Sequence, residues 1–147
     1  MAFKAKRPVI IAIQSQHVEK ILAGTKAWEL GRGLIRDCNC FVIYRSRENR
    51  GIVAIAEIGE TRPSKYKAGG YDYHILKVYV FKEGKLSLDT AFENTPIKRK
   101  FNVPQAFTYL RNIDDYWTPE TEAAAAEAVK ILLKTHPYKI VYPKDID

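Results

Sequence analysis

Four segments dense in branched and aromatic residues set the limits on how this chain can fold. They are Pro8 to Gln14 (PVIIAIQ), Phe41 to Tyr44 (FVIY), Gly51 to Ile58 (GIVAIAEI) and His74 to Phe81 (HILKVYVF), each bounded by turn-forming residues. Their lengths and composition are those of short strands. The first is almost wholly apolar, as expected of a strand covered on both faces. The polar turn Arg45 to Arg50 predicts a hairpin between the second and third of these segments. Weaker strands are expected at Thr25 to Leu30, before the break Gly31-Arg32-Gly33, at Leu86 to Phe92, after the turn Lys82-Glu83-Gly84-Lys85, and at Tyr138 to Tyr142.

Helical periodicity is scarcer. Ser15 is placed to cap a short helix with Val18, Ile21 and Leu22 as its apolar stripe, and Gly24 to end it. Pro104 to Asn112 fits another short helix. The clearest one begins at Thr118, with Pro119 at its first position, Glu120 and Glu122 near its positive end and Lys130 and Lys134 toward its negative end. Val129, Leu132 and Leu133 are its expected core residues. Arg62 to His74 contains Pro63, Gly69 and Gly70 without apolar periodicity and reads as a long loop. Six or so strands with helices at the margins predict one α+β domain over residues 1–147, a small, partly open β-barrel. Its interior is filled by side chains, so a ligand belongs at the mouth or between barrel and helix.

At 147 residues, 46% of them hydrophobic, the chain can bury a core without disulfide or metal staples. No run approaches the ~18 apolar residues of a bilayer span. The run Val9 to Ile13 lacks a small-residue cleavage site behind it and reads as a buried strand, not a signal peptide. A cytoplasmic protein without membrane association is expected. Cys38 and Cys40 are too close for a disulfide and too few for structural zinc, unless His17, His74 or His136 converge on them. They read as reduced thiols, and neither a metal site nor a cofactor is expected. The 24 Lys and Arg residues against 17 Asp and Glu leave a charge of +7, which favours polyanionic partners.

A more specific signal lies between Ile11 and Glu57. An apolar strand leads into a helix ending Lys20-Ile21-Leu22-Ala23-Gly24, and Thr25-Lys26-Ala27-Trp28-Glu29-Leu30 follows. This order resembles the ASCH family of the PUA-like superfamily, in which Gly-x-Lys-x-x-Glu-x-Arg joins the helix to the second strand. Val42 to Ser46 is similar to the family's third strand and turn, and Ile52 to Ile58 to its fourth. The resemblance implies a PUA-like barrel of about six strands that binds RNA, another single-stranded nucleic acid, or a nucleotide. The family's arginine falls at Gly31, and here Arg32 stands one position later. On a regular strand that shift turns a side chain to the other face, unless a bulge at Gly31 restores it.

The resemblance also implies a ligand cleft beside Lys26 and Glu29. Three residues apart, the two would face opposite ways on one strand. They meet only if the chain turns between them or Lys26 still belongs to the preceding loop, and the resemblance implies the loop. Lysine then offers a point charge to phosphate, and the carboxylate accepts from the exocyclic amines of bases. Trp28 either stacks on a base or packs in the core; alternation places it on the face of Lys26 and Leu30. Arg32, Tyr44, Arg45 and Ser46 complete this candidate ligand set. In the expected loop, Arg62, Lys65 and Lys67 interleave with Tyr66, Tyr71 and Tyr73, cations for a backbone and rings for bases. The alternative is a solvated loop whose tyrosines pack back on the barrel. Arg47 and Arg50, and Lys98-Arg99-Lys100, would extend the same surface.

Two other function classes stay open. Some ASCH relatives are hydrolases that deacylate modified cytidine with a lysine beside a threonine nucleophile. Lys26 matches that lysine, but Glu29 stands at the threonine's position and Thr25 precedes the lysine. Other relatives resemble ribonucleases, for which Lys26 and Glu29 are the catalytic candidates, with Tyr44, Ser46 and the histidines in reserve. The third class is a protein-interaction or inhibitor module of a virus or mobile element, whose aromatic loop would serve as the interface.

Overall fold

The apolar segments become neighbouring strands of one mixed sheet in the computed structural model, which describes residues 3–32, 34–112 and 116–145. The elements are β1 (Val9–Gln14), α1 (Ser15–Leu22), β2 (Trp28–Arg32), β3 (Cys40–Ser46), β4 (Gly51–Pro63), β5 (Gly70–Phe81), β6 (Phe107–Tyr109), α2 (Pro119–Thr135) and β7 (Tyr138–Val141). Strand order is β2-β5-β4-β3-β1-β6, and β7 also pairs with β5. β1 and β3 run parallel, and the remaining pairs are antiparallel. β2 takes Gly70 to His74 of β5 and β7 takes Val78 to Phe81, so the two lie end to end along one edge. The sheet curls into a half-barrel.

Apolar residues on both faces of β1 and β3 explain their unbroken hydrophobic runs. On the inner face Val9, Ile11, Phe41 and Ile43 pack with Ile75 and with Val18 and Ile21 of α1. On the outer face Ile10, Val42 and Ile55 pack with Ala128, Val129 and Leu132 of α2, and Leu133 lies half-buried against them. α2 opens on a reciprocal capping box between Thr118 and Thr121, with Pro119 in its first turn. No described helix is long and apolar enough to cross a membrane.

Several boundaries differ from the sequence expectation. Ser15 is the first helical residue of α1 and not its cap; Gln14 holds the cap position without a side-chain bond. The other end behaves as expected. Gly24 (φ +80°) allows its own N–H to reach Ile21 O at 3.0 Å and that of Thr25 to reach Lys20 O at 2.9 Å, the paired bonds of a Schellman stop. After this stop Gly24 O accepts from the Lys144 N–H at 3.0 Å and the Ala27 N–H donates to Asp145 Oδ1 at 2.6 Å, and β2 begins at Trp28 instead of Thr25.

The expected loop from Arg62 to His74 is largely a hairpin. β4 continues to Pro63 across two register shifts between Glu57 and Thr61, β5 starts at Gly70, and a tip of residues 64–69 remains. Those shifts hide the alternation that would have announced the strands. Phe107–Tyr109, expected within a helix, is β6 on the edge of β1, where its aromatic and β-branched residues fit. The expected strand Leu86 to Phe92 is mostly turns, with Leu86 bridged to Ile52.

Candidate functional site

The two ends of the sheet, β2 on one side and the β1–β6 edge on the other, face each other across a cleft of about 520 Å³. Ile11 to Gln14 of β1 and residues 104–107 form one wall, and Glu29, Leu30 and Gly31 of β2 form the other. His17, Lys26, Ser46, Arg47 and Lys67 complete the rim. Ile11, Ile13 and Ile35 belong both to this cleft and to the inner core, so the cleft is the seam of the unclosed barrel.

Lys26 and Glu29 meet here because Lys26 precedes the strand. Its Nζ lies 3.5 Å from Glu29 Oε2 and 3.2 Å from His17 Nδ1. Glu29 alternates inward with Tyr73, its register partner on β5, and is only 6% exposed. Oε2 has no hydrogen bond beyond that ion pair. Burial pushes the Glu29 carboxyl above its ordinary range, Lys26 and the Leu30 N–H pull it partly back, and Asp72 adds to the rise. Burial first, and then the charges of Lys26 and Lys20, push the His17 imidazole down. His17 is therefore neutral near pH 7, with Nδ1 accepting from the Lys26 ammonium. The result is a line of imidazole, ammonium and carboxylate in which the outer two groups both resist their charged forms.

The remaining rim cations are set by local turns. Arg47 has φ +71°, and its carbonyl accepts from Arg50 Nε at 3.2 Å. At the hairpin tip, Ser64 Oγ accepts from the backbone N–H groups of Tyr66 and Lys67 at 3.1 and 3.2 Å, which holds the turn that carries Lys67 to the cleft. Ser46 lines the cleft while its hydroxyl donates to Ile13 O at 3.3 Å.

Other sequence candidates lie elsewhere. Trp28 pairs in register with His74 and so takes the face opposite Glu29. Its ring stacks on His74 at 4.6 Å, with the Arg62 guanidinium 3.8 Å from its centroid. Lys26 does not share that face, because alternation starts only at Trp28. Arg62 also lies 3.7 Å from Asp72. Tyr73 is core: its hydroxyl accepts the Ile35 N–H at 2.8 Å and its ring meets Phe41 edge-on. Tyr71 is half-buried against the same cluster, and Tyr44 is buried on the outer face of β3. Arg45 is paired with Glu19 at 2.6 Å. Lys65 and Tyr66 project from the hairpin tip, Tyr66 being 91% exposed. The β2–β5 ladder pairs Gly31 with Tyr71 and Arg32 with Gly70 without a bulge, and the Arg32 side chain lies outside the described residues.

The three histidines occupy three separate places: His17 in the seam, His74 beneath Trp28, and His136 against Glu83 at 2.6 Å. Burial raises the Cys38 thiol to about 12, and Cys40 is fully enclosed. Among the described residues, no group of three or more His, Cys, Asp or Glu side chains is arranged to hold a metal ion. Gln14 and Gln105 line the cleft but carry no sequence signal of their own. Gln105 becomes visible only once β6 is known to lie on the β1 edge.

No protein-family model matches the sequence, and no curated protein matches it. Solved structures do. The ASCH protein of Zymomonas mobilis superposes with a TM-score of 0.56 at 15% identity, over 89% of this chain and 96% of that one. Two single-substitution variants of that protein give 0.58 over 92% of this chain and 0.56 over 90%, each covering 100% of its own length at 15% identity. At that identity the likeness establishes the architecture: this chain has an ASCH-like, PUA-like α+β fold.

Proposed function

We propose that this ASCH-like domain binds a nucleotide, free or within RNA, in the seam cleft beside Lys26 and Glu29. The observation that carries this reading is Glu29, a buried carboxylate on the cleft wall whose Oε2 meets only the Lys26 ammonium, at 3.5 Å. A carboxylate oxygen can accept more than one bond, and a ligand N–H would supply a second partner. Base amines and ring N–H groups are donors of that kind. The cleft, at about 520 Å³, falls within the range of roughly 300–1,000 Å³ usual for small-ligand sites. Lys26, Arg47 and Lys67 on its rim suit phosphate, and the exposed Tyr66 ring at the hairpin tip suits base stacking. The hairpin tip then acts as a clamp over the ligand.

Binding of short fluorescent RNA and single-stranded DNA at low and moderate salt, beside the four free ribonucleotides, tests this. Lys26→Ala combined with Glu29→Ala removes a charge-assisted contact worth about 1.5–3 kcal/mol, so affinity should fall by roughly ten- to a hundredfold. Unchanged affinity for every one of these ligands would overturn the cleft assignment.

A second reading, hydrolysis of nucleic acid or of a modified nucleoside, is favoured by the His17–Lys26–Glu29 line. A neutral imidazole and a carboxyl of raised pKa are what general acid–base chemistry uses. The Thr25 hydroxyl is engaged elsewhere, donating to Lys20 O at 3.2 Å. Hydrolysis here would therefore rely on an activated water or the ribose 2′-OH, not on a threonine nucleophile. Product analysis of the binding mixtures separates the two readings.

A further inference from the structure

The β3–β4 turn and the segment before β6 each serve two clefts. Ser46 and Arg47 line the seam, while Tyr44, Arg50 and Gly51 line a second cleft of about 410 Å³. On the facing wall Pro104 belongs to the seam and Val103, its chain neighbour, to the second cleft. The two clefts share no lining residue, and Tyr44 of the second lies on the outer face of β3; they are two parts of one surface, joined across the β3–β4 turn, where Arg50 Nε reaches Arg47 O at 3.2 Å.

The second part is built and charged. Lys85 enters its wall beside Gly51 because Ile52 and Leu86 exchange backbone hydrogen bonds at 2.7 and 2.8 Å. A Cβ on Gly51 would lie 2.9 Å from Lys85 Cβ, so glycine there permits the close approach. Arg50 stands next to it, its Nε holding the turn through Arg47 O at 3.2 Å. Among the described residues, Arg47, Arg50, Lys67 and Lys85 have no carboxylate partner. The acids on the two sets of walls are Glu29, taken by Lys26, and Asp89. The two buried rings in the second cleft, Tyr44 and Phe101, are floor and not stacking platforms. Cations above such a floor recognise a backbone, not a base.

We propose that the second cleft is a phosphate subsite, formed by Arg50 and Lys85, for the neighbouring nucleotide of a strand whose first base occupies the seam. The ligand is then a single-stranded polynucleotide and not a free nucleoside or mononucleotide. This rests on the seam reading above, and the test separates the two.

Mononucleotides and a mixed-sequence octanucleotide, as RNA and as DNA, are titrated against the wild type and against Arg50→Gln/Lys85→Gln. Both residues are exposed, so the fold should tolerate the change. A control pair, Lys134→Gln/Lys139→Gln on α2 and β7, alters net charge equally. The octanucleotide should bind the wild type about tenfold or more tighter than any mononucleotide, and the Arg50/Lys85 variant should lose about that much. Its log–log salt slope should also become shallower by about 1.4, at ~0.7 for each phosphate contact removed from a single strand. Mononucleotide affinity should stay unchanged in the control pair and in Lys85→Gln alone, which leaves the Arg50–Arg47 contact of the turn intact. The subsite is refuted if the octanucleotide binds no tighter than a mononucleotide, or if the control pair weakens it equally. In either case the seam reading stands, provided Lys26→Ala still weakens mononucleotide binding. Wild-type protein that binds neither class overturns both.

Discussion

Substituting Glu29 by Gln keeps the side chain's volume and removes its charge, and the structure says which way stability should move. The ion pair that disappears is a 3.5 Å contact to a lysine whose side chain is still 21% exposed, a pairing worth about 0–1 kcal/mol. Lys26 keeps its second partner, His17 Nδ1 at 3.2 Å. Against that loss, burial disfavours the charged form of the Glu29 carboxyl, and a neutral amide escapes that desolvation cost, a gain of about 1–2 kcal/mol. The amide oxygen can still accept from the Leu30 N–H. The net expectation at pH 7 is stabilisation of about 1 kcal/mol, or roughly 3 °C in Tm for a chain of this length. The gain should also depend on pH. Burial raises the folded-state pKa of Glu29 above its ordinary 4.5, so the wild type's contribution at this site is intact below 4.5. It is lost as pH rises through the folded value, because ionisation then favours the unfolded chain. Glutamine has no such term. Urea unfolding of both proteins at pH 4 and pH 7 reads the difference: near zero at pH 4, in favour of the variant at pH 7. A variant less stable than the wild type by the same amount at both values would show that Glu29 is a structural anchor. The buried carboxylate would then no longer point to a ligand.

Two further substitutions probe the scaffold. Gly31→Ala would place a Cβ 2.6 Å from Tyr73 Cε2, and that ring is buried and tethered to the Ile35 N–H, so a loss of about 1–3 kcal/mol is expected. It should be seen as a lower urea midpoint at constant m, with weaker ligand binding because Gly31 also lines the seam. Thr118→Ala removes the capping box of α2 and should cost about 1 kcal/mol in chemical denaturation, with Thr118→Ser restoring most of it.

The parts of the fold that could be read from sequence are those whose signal is local. β1, β3 and the first half of β4 are continuous apolar runs, and α2 carries its Thr118–Pro119 start in the chain itself. A strand begun at Thr25 would have set Lys26 and Glu29 on opposite faces, and their meeting was implied by the family resemblance alone; Gly24 marks the helix end but not the later start of β2. What escaped was decided at a distance. β6 is three residues long and exists because the edge of β1 accepts it. The far half of the β4–β5 hairpin is polar and shifted in register, so its alternation is invisible until the two strands are paired. Trp28 and Tyr73 illustrate the same limit from the side of function. Each looks like a base-stacking ring in sequence. Yet β2 turns one outward beneath Arg62, and β5 turns the other inward onto Ile35.

Why the polar groups gather where they do follows from the incomplete barrel. β6 covers Val9 to Ile11 of β1 and stops, after which Ala12 bonds Ala106 O at 3.0 Å. The strand's last residues, Ile13 and Gln14, are left on the seam wall. On the other side β2 pairs with β5 along one edge, and its Glu29, Leu30 and Gly31 face the same gap. A closed barrel would fill this space with side chains. Here the space stays open, and the backbone around it is still held by neighbouring strands. That combination places the Lys26 ammonium 3.5 Å from a buried carboxylate and 3.2 Å from an imidazole along the wall. Folding alone gives no reason to keep Glu29 there, since glutamine should make a more stable seam. If it does, the ligand proposed for the seam would account for the carboxylate, and the pH dependence of Glu29→Gln and its effect on binding should fail or succeed together.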